Sequence, residues 1–203
     1  MVFIGLTVQY DECIIEKLTY RKNIMAQHLM FDLETLDTKT TATILTLGAV
    51  RFDPFTNDPM KELYLRVEID SQDKLGCTVS DDTLNWWSNQ AVDIKEEAFN
   101  PLNRVPIHEV VNQFHAMAWG CSHVWSHGAT FDVMIMQNIY DKLGRAYPWN
   151  FWEVRDTRTL FELADPEMPK DALHNALEDA KRQAVGVRNV YRKLGHTGYT
   201  GRK

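Results

Sequence analysis

Cysteine is scarce in this chain of 203 residues: Cys13, Cys77 and Cys121 are the only ones, and no CxxC spacing occurs among them. An odd, widely spaced set excludes a disulfide framework and a zinc ribbon or finger, and it fits a reducing compartment, so a cytoplasmic location is expected. No apolar run is long enough to cross a bilayer. Met1–Val8 is apolar but short, lacks a basic start and runs into Asp11 and Glu12, so a signal peptide is not expected either, and no membrane partner is. Basic residues are also in deficit, with 22 Lys and Arg against 28 Asp and Glu and a net charge of −6. That balance excludes broad non-specific grip on a nucleic-acid duplex, which needs many cationic contacts to phosphate. It leaves room for a protein that holds only a few nucleotides at a chain end. The deficit is reversed locally, since no acid follows Ala180 while Lys181, Arg182, Arg188, Arg192, Lys193, Arg202 and Lys203 do. This stretch reads as a solvated helix face with a loose tail, or as a local phosphate-attracting patch.

What is present suffices for a core: 44% apolar residues and six Trp, in a length that suits one domain. No internal repeat or low-complexity tract stands out. Residues 1–24 mix short apolar pieces with charges and show no sustained period, so they are expected to be an extension, disordered or upstream of the true start. Met25 opens a cleaner pattern, and 25–203 is expected to be the domain.

The pattern predicts three strands, at His28–Leu33, Thr43–Phe52 and Glu62–Ile69, joined by short loops into an antiparallel meander. Helices are predicted from Ser80 or Asp81 to about Asn89, over Pro106–Trp119, over Phe131–Leu143 before Gly144, from the Asp156 cap to Leu163, and from Leu173 or later to Leu194 before Gly195. Strands are predicted at Ser122–Ser126 and Phe151–Arg155. The sum is an α/β domain with a mixed five-stranded sheet, the meander plus two strands added through helices, and helices on both faces.

Five residues carry the chemistry. Asp32 and Glu34 lie two apart at the end of an apolar strand, so they share a face. Buried together they are costly unless a cation neutralises them, and otherwise the strand end is frayed into solvent. Asp132 opens a helix directly after an apolar strand, aimed at a cleft or merely favoured by the helix dipole. His174 and Asp179 are five apart, about 140° on an ideal helix, so either His174 sits on a loop ahead of the helix or the two are unrelated. Ala176, three residues before Asp179, would leave room for an ion. Several carboxylates and one base are what a two-metal phosphodiesterase needs.

Jointly, these segments resemble the DEDDh branch of the 3′–5′ exonuclease superfamily, which has the ribonuclease H-like fold. Asp32-Leu33-Glu34 is similar to its first motif, Thr130-Phe131-Asp132 to its second, and His174-Asn175-Ala176-Leu177-Glu178-Asp179 to its third. Asp156-Thr157 with Thr159-Leu160 resembles its strand-to-helix junction. Thr83-Leu84-Asn85-Trp86-Trp87-Ser88-Asn89-Gln90, with Phe151-Trp152 and Arg155-Asp156-Thr157-Arg158-Thr159, is similar to the phage exonuclease A group and its bacterial exoribonuclease relatives. A phage origin would make the location the host cytoplasm. The likeness covers about Met25 to Gly195. It departs at Ser126-His127-Gly128-Ala129, where the family usually carries Asn, which puts local substrate contacts in question.

The resemblance implies hydrolysis from the 3′ end of single strands or short oligonucleotides, with two divalent cations, Mg²⁺ or Mn²⁺, and release of nucleoside 5′-monophosphates. Asp32 would bridge both ions, Glu34 and Asp179 would complete one, Asp132 would hold the second, and His174 would be the general base. Thr35 and Leu36 would contact the terminal nucleotide. One of Trp86 and Trp87 faces the core and the other is free for the cleft, and Trp87 is taken as the base-stacking residue. His127 either approaches the scissile region or caps a strand. A non-catalytic nucleotide-binding module and a polymerase-associated proofreading subunit are alternatives on the same fold. RNA against DNA, and monomer against homodimer, stay open.

Overall fold

The computed structural model describes residues 27–169 and 174–198. The expected extension over 1–24, the loop residues Lys170–Leu173 and the basic tail end with Arg202 and Lys203 lie outside the described residues.

The first strand, β1 (His28–Thr35), is apolar on both sides, and the architecture follows from that. Leu29, Phe31 and Leu33 enter one hydrophobic core and Met30 enters another. A strand covered on both faces belongs at the centre of its sheet, which is why it reads as a continuous apolar run. Two antiparallel neighbours follow, β2 (Ile44–Phe52) on β1 and β3 (Lys61–Val67) on β2, as the meander predicted. β5 (His123–Ser126) lies parallel to β1 on its other side, and β6 (Val154–Asp156) lies parallel to β5.

The sheet has six strands rather than five, in the order β4-β3-β2-β1-β5-β6. The added β4 is only Arg104–Val105, paired parallel to β3. Two residues leave no period-2 signature, and their strand character comes from the neighbour they bond. Expectation and structure also differ at Phe151–Arg155. Phe151–Glu153 form a 3₁₀ turn closed by reciprocal Asn150 and Glu153 caps, and pairing starts only at Val154.

The helices are α1 (Asp70–Asp73), α2 (Asp81–Ser88), α3 (Val92–Ala98), α4 (Ile107–Ala118), α5 (Asp132–Lys142), α6 (Thr157–Ala164) and α7 (Ala176–Lys193). The short α1 and α3 have no counterpart in the sequence reading. Ser80 caps α2 and Asp156 caps α6, each side chain accepting an N–H from the first turn. Helices α4 and α5 cover one face through Val110, Phe114, Ile135 and Ile139. Helices α6 and α7 cover the other, where Ala180, Ala184 and Val187 of α7 meet Met30, Val50 and Phe52. The Ala176-Ala180-Ala184 stripe has no bulk to hold α7 off the sheet, and all three are fully buried.

Candidate active site

Helix α7 approaches the sheet tightly at Gly48 of β2. A Cβ there would lie 2.1 Å from the Ala176 carbonyl carbon and the Leu177 nitrogen. Gly48 pairs directly with Asp32 across β1 and β2. The first turn of α7 is thereby pressed onto the strand pair that carries Asp32 and Glu34, and Asp179 sits in that turn.

Oxygens of Asp32, Glu34 and Asp179 lie within 4.8 Å of one another, the one such grouping of potential ligands among the described residues. Asp132, buried at the start of α5, adds a fourth carboxyl: its Oδ1 accepts the Leu33 N–H at 3.2 Å, between the two acids of β1. His174 lies ahead of α7, as the five-residue spacing required if it is related to Asp179. Its φ of +62° turns the chain, and its N–H donates to Asp179 Oδ2 at 3.0 Å. The imidazole meets the Trp86 ring edge-on at 4.8 Å.

The electrostatics are those of a site short of positive charge. Burial, then the neighbouring Asp179 and Asp132 carboxyls, push Glu34 up to about 8. Burial, then the charges of Asp132 and Glu34, hold Asp32 well above the carboxylate range against the opposing bond from Gln183. Burial also raises Asp132, opposed by the Leu33 N–H and by Arg158. The cluster's protein partners are few: Gln183 Nε2 donates to Asp32 Oδ1 at 3.0 Å, and Arg182 Nη2 reaches Asp179 Oδ1 at 3.1 Å. Like charges packed this closely cannot all ionise without a cation among them. The donors are carboxylate oxygens, with no thiolate, so the set fits a hard divalent ion such as Mg²⁺ or Mn²⁺.

The expected substrate contacts fare unevenly. Trp87 is 2% exposed and Trp86 is 41% exposed, so the core and cleft tryptophans are the reverse of the sequence assignment. The Trp87 indole donates to the Thr35 carbonyl at 2.9 Å and packs with Leu36, Leu45 and Ala98. Leu36 is buried in that same cluster, which corrects its expected role against a nucleotide. A helix puts successive residues about 100° apart, and α2 has one buried face, so only one of the two indoles is covered. Thr35 is buried and its hydroxyl donates to the Asp37 carbonyl, although the residue lines a cleft of about 400 Å³ with Glu34, Thr38, Asp82, Trp86 and Phe131. His127 directly follows β5, with Nδ1 2.9 Å from Thr157 Oγ1, and burial followed by Arg158 lowers its pKa. A larger cavity of about 710 Å³ lies around Trp87, Lys95 and Phe99 and contains none of the four acids.

Three residues escaped the sequence reading: Gly48, Gln183 as the partner of Asp32, and Trp86 as the exposed indole. A glycine inside an otherwise apolar strand was the available signal for the first, since it marks a close approach of backbone. Nothing local marks Gln183.

Residues 27–191 match the family described as the 3′–5′ exoribonuclease Rv2179c-like domain. No curated protein matches. Among solved structures, a moderately thermophilic exonuclease I from Methylocaldum szegediense superposes with a TM-score of 0.61 at 13% identity, covering 85% of this chain and 42% of that one. The zinc-bound E. coli ExoI–ssDNA complex gives 0.59 at 12% identity, with 85% and 42% covered. The chain thus spans well under half of these enzymes, and the likeness establishes the ribonuclease H-like fold. With the family match running from β1 through α7, the chain belongs to the Rv2179c-like 3′–5′ exoribonuclease domain family of the DEDDh 3′–5′ exonuclease superfamily.

Proposed function

We propose that this protein is a metal-dependent 3′–5′ exonuclease that removes nucleoside 5′-monophosphates from the 3′ end of single-stranded nucleic acid. The observation that carries the reading is the convergence of Asp32, Glu34 and Asp179 within 4.8 Å. Asp132 against Leu33 and His174 against Asp179 complete it. Asp32, Glu34, Asp132 and Asp179 would hold two divalent ions, Mg²⁺ or Mn²⁺. Bound there, such ions lower the pKa of water and neutralise charge on the leaving oxygen.

The chain's own groups supply the rest. His174 takes the proton of the attacking water on its imidazole, the side chain most often used as a general base. Its backbone N–H bond to Asp179 ties the residue to the first turn of α7, and its ring lies edge-on to Trp86. Water attacks the terminal phosphorus and the bond to the upstream 3′ oxygen breaks, leaving a new 3′ hydroxyl. Trp86 offers a face to the terminal base, and Thr35 and His127 border the strand. The family description names RNA as the first substrate to try, while the zinc-bound E. coli ExoI structure is a complex with single-stranded DNA.

The test is digestion of 5′-labelled RNA and DNA single strands with Mn²⁺ or Mg²⁺. A ladder shortening from the 3′ end is expected, abolished by Asp32→Ala and nearly abolished by His174→Ala. Turnover that survives both changes removes the mechanism. Absent turnover, together with a melting temperature indifferent to Mn²⁺, identifies a non-catalytic binding module instead.

A further inference from the structure

The carboxylate cluster lies between flanks of opposite character. On one side is the 400 Å³ cleft, walled by Trp86 and Phe131, with Thr38 and Thr83 hydroxyls, the acids Glu34 and Asp82, and no Lys or Arg in its lining. Such a lining admits a base and a sugar and repels a phosphate. On the other side, beyond β1 in the sheet order, β5 and β6 end at Ser126 and Asp156.

Arg158 stands there, in the first turn of α6. Its Nε donates to the His127 carbonyl at 3.1 Å, and among the described residues its two terminal nitrogens bond to nothing. The guanidinium lies 3.6 Å from the point where a Cβ on Gly128 would sit, and Gly128 has a φ of +121° that side chains rarely adopt. The turn after β5 thus folds beneath the guanidinium. Arg158 is exposed, and the turn it covers leads directly into Asp132, whose N–H donates to the Gly128 carbonyl at 3.3 Å. The neighbouring cation Arg182 is already engaged by Asp179 at 3.1 Å. An arginine fixed by one backbone bond, with its fork free, is built for a phosphate.

We propose that Arg158 binds the phosphate one linkage upstream, on the 5′ side, of the bond that is cut. The inference rests on the exonuclease reading above. It gives the strand a direction, from Arg158 across the carboxylates to a terminal nucleoside in the Trp86 cleft.

Three substrates test it: the p-nitrophenyl ester of thymidine 5′-monophosphate, a dinucleotide with a free 5′ hydroxyl, and the same dinucleotide with a 5′ phosphate. Only the last carries an upstream phosphate. In the native enzyme its kcat/KM is expected to exceed that of the 5′-hydroxyl form by about 10- to 100-fold, the range of a hydrogen bond to a charged group. R158Q should collapse that ratio towards one, chiefly through KM, and R158K should keep part of it. On longer single strands R158Q should flatten the salt dependence of log KM by about 0.7, one phosphate contact. A native enzyme indifferent to the 5′ phosphate, or an R158Q loss equal on all three substrates, overturns the proposal. Failure of the native enzyme to cleave the ester and both dinucleotides is a different result, and it takes the exonuclease reading down as well.

Discussion

Replacing Gly48 by alanine adds one methyl group far from any reacting atom, and the structure makes it costly. The new Cβ would stand 2.1 Å from the Ala176 carbonyl carbon and the Leu177 nitrogen, and ordinary contact begins at 3.4 Å. These are backbone atoms of a helix, so they cannot step aside singly; the start of α7 must retreat by about 1.3 Å. Asp179 and His174 travel with it, away from Asp32 and Glu34 on a strand held by neighbours on both sides. Misplacement of about 1 Å in a reacting constellation can cost about 10²-fold in rate. Overpacking typically destabilises by about 1–3 kcal/mol, and in a chain of this size each kcal/mol lowers Tm by about 2–4 °C. Gly48→Ala should therefore fold, melt several degrees lower, lose about two orders of magnitude in kcat, and show a smaller Mn²⁺-induced rise in Tm. Gly186→Ala is the control: its Cβ would strike the Phe161 ring at 2.6 Å and the Met168 sulfur at 2.8 Å, side-chain atoms packed along the body of α7. It should lower Tm and spare turnover. A Gly48→Ala enzyme with native rate and native metal response would refute the claim that this contact assembles the site.

Protonation offers a second test. Glu34 titrates near 8 in the folded protein, above its ordinary value of about 4.5, so the metal-free fold binds a proton that the unfolded chain has released. Stability should fall as pH rises through that interval, and Glu34→Gln should remove this part of the fall. The apoprotein variant should melt higher than the native apoprotein at pH 8 while being inactive; an unchanged pH profile of Tm would count against the buried acid. Metal affinity should climb with pH up to about 8, with protons released on binding, as calorimetry in buffers of different ionisation enthalpy would show. The two tryptophans should separate cleanly. Trp86→Ala should raise KM for oligonucleotides by about 1–3 kcal/mol of lost stacking and leave Tm nearly unchanged. Trp87→Ala, which empties a core site and strands the Thr35 carbonyl, should destabilise by about 3–5 kcal/mol. Interchanged phenotypes would mean that the exposed and buried indoles have been misassigned.

Legibility tracked the length of the signal. β3 and α4 announced themselves through the period that one-sided burial imposes, and β1 and β2 through the continuous apolar runs of strands covered on both faces. β4 did not, because two residues carry no period and are strand only by virtue of β3. The site's acids were visible as carboxylates in apolar company, while the spacing of His174 to Asp179 left open whether the two were related, and the structure puts His174 ahead of α7 with its N–H on Asp179. The adjacent tryptophans could not be sorted, since the sequence shows that α2 has a buried side without showing which indole the Thr35 carbonyl will receive.

By itself, then, the chain determined the kinds of element and the inventory of chemistry, because periodicity and residue type are local properties. Which groups meet was a matter for the tertiary fold. The contacts that build the cluster join residues about a hundred or more positions apart, Leu33 to Asp132 and Asp32 to Gln183. The second exists because Gly48 and the alanine stripe let α7 lie against the sheet. Distance in space is set by what packs between two segments, and no local pattern records it.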